Sequence, residues 1–257
     1  MQDDTGRGMR HGGDAQPTSC EQCPLMGCEG LEPPSREDRA GIERYKMGEI
    51  MLKRGTAVFI QGAPATQLHT VLRGVLIRYR ALTDGRRQIV NFMFPGDLVG
   101  LQSALDEPMS HGVEALNDVT LCSFPRAGFR DFIAAHPQLG FDTVWIAARE
   151  EAALEDHLLS LGRRNALERI ANLAIFLLRR AQASCVADGN RLPLVVTQTQ
   201  IADMLGLSLV HTHRSIQALR KENLVHWTLN EIYVPDMAAA CDFAQFDVRS
   251  DAPRPYI

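Results

Sequence analysis

No run in the 257 residues approaches the roughly 20 consecutive apolar side chains that a membrane-spanning helix needs, so no membrane span is expected. The first residues, MQDDTGRGMRHGGDAQPTS, hold no apolar stretch of the secretory kind. The expected location is therefore the reducing cytoplasm, with the six cysteines as thiols or metal ligands. No Gly-rich nucleotide loop follows a strand-like run, no Ser/His/Asp grouping stands out, and His157, His211, His213 and His226 are scattered rather than set at metalloprotease spacing. These absences argue against an enzyme.

A positive net charge is missing as well. The formal value is −4, which taken alone argues against a nucleic-acid partner. The average conceals a division, because residues 163 to 222 hold nine Lys/Arg against four Asp/Glu, a local balance of +5 that leaves −9 for the remainder. A basic module joined to an acidic one is expected.

What is present is ordered along the chain, and it predicts an α+β protein. Residues 1–45, with GRG, GG and EPPSRED, have too little to bury to offset the entropy of ordering, and read as a flexible arm. Residues 46–136 carry period-two runs (TAVFI, HTVLRGVLIRYRAL, RRQIVNFMF) separated by Gly turns, the pattern of an antiparallel β-roll. Asp84-Gly85 is its strongest hairpin signal and predicts a type I′ turn with both residues at positive φ. From 137 to 162 the period turns helical. Val144, Ala147, Glu151, Leu154, Leu158 and Leu161 fall on a and d positions, which predicts a dimerisation helix whose seam is interrupted by Glu151. Trp145, Ala148, Ala152 and Leu159 supply a second apolar face, expected to pack on the roll. Residues 163–240 read as a winged helix-turn-helix and 241–257 as a tail.

The segment TQTQIADMLGLSLVHTHRSIQALRKENLV carries the most information. Gln198 to Leu205 forms a short helix with Ile201, Met204 and Leu205 inward, Gly206 permits a sharp turn, and Ser208 is a natural N-cap for a second helix. That helix is expected to bury Leu209, Thr212, Ile216 and Leu219 while presenting Val210, His211, His213, Arg214 and Gln217. An exposed basic and polar first half is what the major groove of double-stranded DNA requires. Arg214 can donate twice to a guanine edge, His213 can touch base or phosphate, and Thr197 and Ser208 can meet phosphates. The following LVHWTLNEIYV reads as a wing with its turn at Asn230-Glu231.

Cys20, Cys23 and Cys28 form a CxxC with a third thiol close by, and Cys122 lies at the far end of the roll. Thiols grouped in a Gly/Pro loop suit an iron–sulfur cluster, and four thiolates suit structural zinc equally well. A disulfide switch is a third reading. Cys185 and Cys241 stand among Ala and Phe and read as small core or surface residues.

A β-roll, a long helix and a winged helix-turn-helix in this order resemble the Crp/Fnr family of bacterial regulators. RRQIVNFMFPGDLVG, GRRNALERIANLAIFLLRR and TQTQIADMLGLSLVHTHRSIQALRK carry the resemblance. It implies homodimers, palindromic operators and RNA polymerase as partner, with Thr83-Asp84-Gly85 as a surface that some relatives turn to the polymerase. Resemblance to the oxygen-sensing Fnr branch implies a [4Fe-4S] cluster on Cys20, Cys23, Cys28 and Cys122. Two departures stand out. The loop after Gly96-Asp97, SALDEPMSHGVEAL, has no arginine to pair a cyclic phosphate, so that ligand is not expected. Val210 stands where many relatives place a glutamate that accepts from cytosine, and valine can only pack on a thymine methyl.

Overall fold

A computed structural model describes residues 18–105, 107–248 and 252–257, and the first part of the expected arm, residues 1–17, lies outside them. Two short 3₁₀ turns, Cys20–Gln22 and Pro24–Gly27, lead into β1 (Leu31–Glu32) and α1 (Arg36–Tyr45). Eight strands follow: β2 (Gly48–Leu52), β3 (Ala57–Phe59), β4 (Gln67–Arg73), β5 (Leu76–Ala81), β6 (Arg87–Met93), β7 (Leu98–Val99), β8 (Gly112–Ala115) and β9 (Val119–Pro125). They form two antiparallel four-stranded sheets, in the orders β2-β9-β4-β7 and β3-β8-β5-β6. Alternation along the strands turns Leu76 and Leu121 into one buried core with Val71, Val99 and Val113, Ile77 and Phe92 into a second shared with the helix Ala166–Ala183, and Leu68 into a third shared with Leu25 and Leu31, all five being fully buried.

A short α2 (Phe129–Ala135) delivers the chain to α3 (Pro137–Arg163), and Asn165 opens α4 (Ala166–Ala183) with a reciprocal capping box to Glu168. Next come β10 (Arg191–Leu192), α5 (Gln198–Leu205), α6 (Leu209–Lys221), β11 (His226–Trp227), β12 (Ile232–Tyr233) and α7 (Met237–Ala244), with the three strands in one sheet ordered β10-β12-β11. The expected fold class is thus the observed one: a roll, a long helix and a winged helix-turn-helix.

Several expectations need correction. Residues 18–45 are folded against the roll, because Leu25, Leu31 and Ile42 are buried there and Ser19 and Ser35 cap the turns they precede. The tail is also folded: β13 (Arg254–Pro255) pairs in parallel with β1, and Tyr256 and Ile257 are buried in the same cluster as Leu25 and Leu31. The turn after Leu82 is no type I′ turn. Gly85 alone has positive φ, at 87°, and Leu82 closes the loop by bonds to Arg86 and Gly85, the pattern of a type I turn followed by a glycine bulge. On α3 the inward face is Leu139, Thr143, Ile146 and Ser160, whereas Ala148 is exposed and Leu159 is 52% exposed. The inward face escaped notice because it is partly polar.

One buried charge network joins the pieces. Asp97, in the turn before β7, is fully buried; its Oδ2 accepts from Phe94 N at 2.8 Å and its Oδ1 takes the Arg180 guanidinium of α4. Arg254 Nε of β13 lies 3.0 Å from the same Oδ1, an ion pair whose alignment falls short of a hydrogen bond. Glu150 of α3 holds Arg254 Nη2 and Arg78 Nη2, each at 3.3 Å, and accepts from Asn91 Nδ2 at 2.7 Å. Burial works to raise the Asp97 carboxyl, but Arg180 and Arg254 overcome it and hold the group below its ordinary value.

Candidate nucleic-acid interface and thiol site

The helix-turn-helix is assembled from local signals. Thr197 and Gln200 form a reciprocal capping box at the start of α5, with Thr197 N donating to Gln200 Oε1 at 2.8 Å. Gly206 closes α5 at φ 61°, a conformation that would strain any residue with a Cβ. Ser208 then caps α6 by accepting from His211 N at 3.2 Å. Thr212, Ser215, Ile216 and Leu219 face the core, while Val210, His211, His213, Arg214 and Gln217 share the open face. Leu209 is a correction: it is 53% exposed, since the first turn of α6 projects beyond the core that α5 can cover. Arg214 carries no ion pair or hydrogen bond among the described residues, which leaves its fork free to donate. His213 Nδ1 lies 3.4 Å from Gln198 Nε2, and the Thr197 hydroxyl is already engaged with Gln200 at 3.1 Å.

The basic balance of residues 163–222 overstates the charge on this face. Arg164 donates to the Ala244 and Gln245 carbonyls, Arg180 is spent on Asp97, and Arg169 donates to the carbonyls of Leu161, Arg164 and Leu205. Arg169 thereby fixes the end of α3 to the end of α5, a positioning role that the sequence concealed as one more surface arginine. The wing turn, Thr228 to Glu231, is closed by Thr228 N donating to Glu231 O at 2.9 Å and leaves Leu229 59% exposed.

On α3 the seam is uncovered. Val144, Leu154 and Leu158 are 64%, 42% and 71% exposed, Ala147 and Glu151 are exposed, and Leu161 is half-buried. Val144, Leu154 and Leu158 thus form an exposed apolar stripe along α3.

Cys20, Cys23 and Cys122 line one small cavity of about 30 Å³, with Lys46, Glu49, Tyr256 and Ile257 among its other walls. Burial pushes the Cys122 thiol up to about 12 and raises Cys20 and Cys23 as well, with Lys46 pulling the other way on each. Lys46 Nζ reaches Glu49 Oε1 at 2.8 Å and the Thr18 carbonyl at 2.8 Å, which ties the arm to β2. Cys28 belongs to the same buried cluster but is bonded to Cys185, one residue past the Ser184 cap of α4. This corrects two expectations, that Cys185 is a bland small residue and that all six cysteines are thiols or ligands; Cys241 is buried. The approach is tight, since a Cβ on Gly30 would meet the Ala183 backbone at 2.4 Å. Among the described residues no three His, Cys, Asp or Glu side chains stand close enough to hold an ion as they are placed.

Fold and site together define a DNA-binding regulator in which a β-roll is coupled through a long helix to a winged helix-turn-helix. Residues 49–136 match the cyclic nucleotide-binding domain and residues 168–240 the Crp-like helix-turn-helix domain. The nitrogen fixation regulation protein FixK of Bradyrhizobium diazoefficiens is 35% identical over 211 residues, covering 80% of this chain and 85% of its own. The transcriptional activatory protein AadR of Rhodopseudomonas palustris is 30% identical over 236 residues, covering 91% and 93%. The solved structure of FixK2 from Bradyrhizobium japonicum superposes with a TM-score of 0.67 at 26% identity, covering 79% of this chain and 98% of that one. The chain belongs to the Crp/Fnr family of transcription regulators, and it is a regulator of the activator type. No helix among the described residues is long and apolar enough to cross a membrane.

Proposed function

We propose that this protein is a cytoplasmic, oxygen-responsive activator that reads palindromic operators as a homodimer, recruits RNA polymerase, and senses through a [4Fe-4S] cluster on Cys20, Cys23, Cys28 and Cys122. The observation that carries this is the convergence of Cys20, Cys23 and Cys122, 99 or more residues apart for the last, on one cavity. The donor set fits a thiophilic centre. Cys28 joins it once its bond to Cys185 is reduced, the state a reducing cytoplasm favours. When bound, such a cluster supplies an oxygen-labile redox centre. The chain's own part is to supply thiolates, with Lys46 favouring the anionic form, and to cover them with Leu25. The cavity as it stands has room for about one water molecule, so these cysteines would hold a cluster only with its walls, Tyr256 and Ile257 among them, moved apart.

Anaerobic purification tests the reading. Brown protein with stoichiometric iron and acid-labile sulfide is expected, lost in Cys122→Ala and retained in Cys185→Ser and Cys241→Ala. Colourless zinc-loaded protein, or full iron in Cys122→Ala, refutes it. The Cys28–Cys185 bond itself favours a second reading, a thiol–disulfide response between arm and DNA-binding domain. In that case DNA binding follows the thiol state in iron-free protein and Cys185→Ser abolishes the response.

A further inference from the structure

The first turn of α6 is apolar where it faces outward. Leu209 and Val210 stand side by side there, 53% and 58% exposed, and the same turn holds no acidic residue. At helical spacing Val210, Arg214 and Gln217 run along the middle of the open face, with Leu209 beside His213 on its flank. One exposed leucine on a protein surface says little. Two adjacent apolar side chains on the face that loses its water against DNA say more, because they either meet hydrocarbon or leave polar base edges without a partner.

The floor of the major groove offers hydrocarbon at one place, the C5-methyl group of thymine, while the other bases present donors and acceptors. The N-terminal residues of a reading helix are the ones that reach base edges, and both side chains stand there. With no carboxylate in that turn, nothing is present to accept from a cytosine amino group. Spacing supplies the register. Val210 precedes Arg214 by four residues, about 6 Å along the helix axis, and base pairs stack about 3.4 Å apart. A guanine held by the free Arg214 fork therefore lies about two base pairs from the base that Val210 touches.

We propose that Leu209 and Val210 are specificity-determining residues that read the C5-methyl of a thymine about two base pairs from the guanine held by Arg214. The assignment rests on α6 as the reading helix and needs no cysteine, cluster or polymerase contact.

Selection from random-sequence duplexes with the full chain, in reducing and air-free buffer, supplies the operator. Arg214→Ala marks the guanine by losing preference at that position. Each thymine near it is then replaced in turn by deoxyuridine, which lacks only the methyl. A roughly fourfold loss of affinity per half-site is expected at a thymine about one to three base pairs from the guanine, the worth of one buried methyl-sized group. Leu209→Ala and Val210→Ala combined should make the thymine and deoxyuridine duplexes equal, with circular dichroism unchanged because both side chains are exposed. Val210→Glu should move the preferred base there from thymine to cytosine. Cytosine in place of the thymine should bind weakly, and 5-methylcytosine should recover part of the affinity. Tighter binding of the 5-methylcytosine duplex than of the thymine duplex would assign the methyl to modified cytosine and overturn the thymine reading. Equal affinity of the wild type for thymine and deoxyuridine at every position, or a methyl preference that survives the double substitution, overturns the proposal while leaving α6 as the reading helix. A chain that selects no sequence, or an Arg214→Ala protein with unchanged preference, removes that helix assignment and the proposal with it.

Discussion

Replacing Asp97 with alanine removes the anion on which two buried guanidinium groups converge. Arg180 and Arg254 then face one another across the junction of roll, DNA-binding domain and tail, with Glu150, already shared with Arg78 and Asn91, the one carboxylate left to Arg254 among the described residues. Breaking a buried pair by deleting one partner costs about 3–5 kcal/mol, because the surviving charge is already desolvated. For a protein of this size each kcal/mol lowers Tm by roughly 2–4 °C, so a fall of about 6–20 °C is expected. Urea unfolding followed by circular dichroism gives the free energy directly. The pH dependence has a definite sign. The folded carboxyl titrates below its unfolded value of about 3.9, so the unfolded chain binds more protons in that window. The stabilisation is complete above that value and fades as pH falls through the depressed one, and the Asp97→Ala protein lacks this part of the acid transition. A loss below about 1 kcal/mol would show that water reaches the arginines and that Asp97 is no keystone.

Arg214→Ala should weaken operator binding by roughly 1–3 kcal/mol per half-site while sparing affinity for random DNA, and equal losses on both in a filter or anisotropy assay would reassign Arg214 to a phosphate. Ser208→Ala removes the cap of α6 and should cost about 1 kcal/mol of stability by thermal unfolding, with Ser208→Asp restoring it; no change would mean that the Ser208 hydroxyl is not needed there. Glu151→Leu completes the exposed seam and should shift sedimentation towards dimer in air, since two ionised Glu151 side chains oppose association; a protein as monomeric as wild type would refute the seam. Asp84→Ala should lower transcription at unchanged operator occupancy if the hairpin meets RNA polymerase, and an unaltered transcript level would remove that contact.

The recognition helices were legible because their signals are local: Gly206 and Ser208 are adjacent turn and cap, and the inward residues recur at helical spacing. Leu209 misled because an apolar residue in a first turn looks the same in sequence whether or not a neighbour reaches it. The arm and tail were illegible for the opposite reason. Neither segment has enough apolar surface to fold alone, and each is ordered by the other, with Leu31 opposite Arg254 and Tyr256 beside Leu25. The inward face of α3 was hidden by its polarity, because Glu150 is acceptable inside only once Arg78 and Arg254 are in place. The thiol grouping was half legible. Spacing brought out Cys20, Cys23 and Cys28, whereas the attachment of Cys28 to Cys185 depends on Gly30 letting the arm lie on the end of α4, which no local pattern records.

The pairing of β1 with β13 also sets an order in time. At synthesis rates of about 5–20 residues per second, the roughly two hundred residues between the two strands take about 10–40 s to emerge. The roll has its own strands and can close within that interval, but the walls that Tyr256 and Ile257 give the cysteine cavity do not yet exist. Until the helix-turn-helix has been made, Cys20, Cys23 and Cys122 look out onto solvent and onto whatever delivers or oxidises them. A nascent chain therefore passes through a period in which Cys122 is open as well as Cys20 and Cys23, which stay half-buried in the folded protein, and Cys122 returns to that state only when the β13 strand is released.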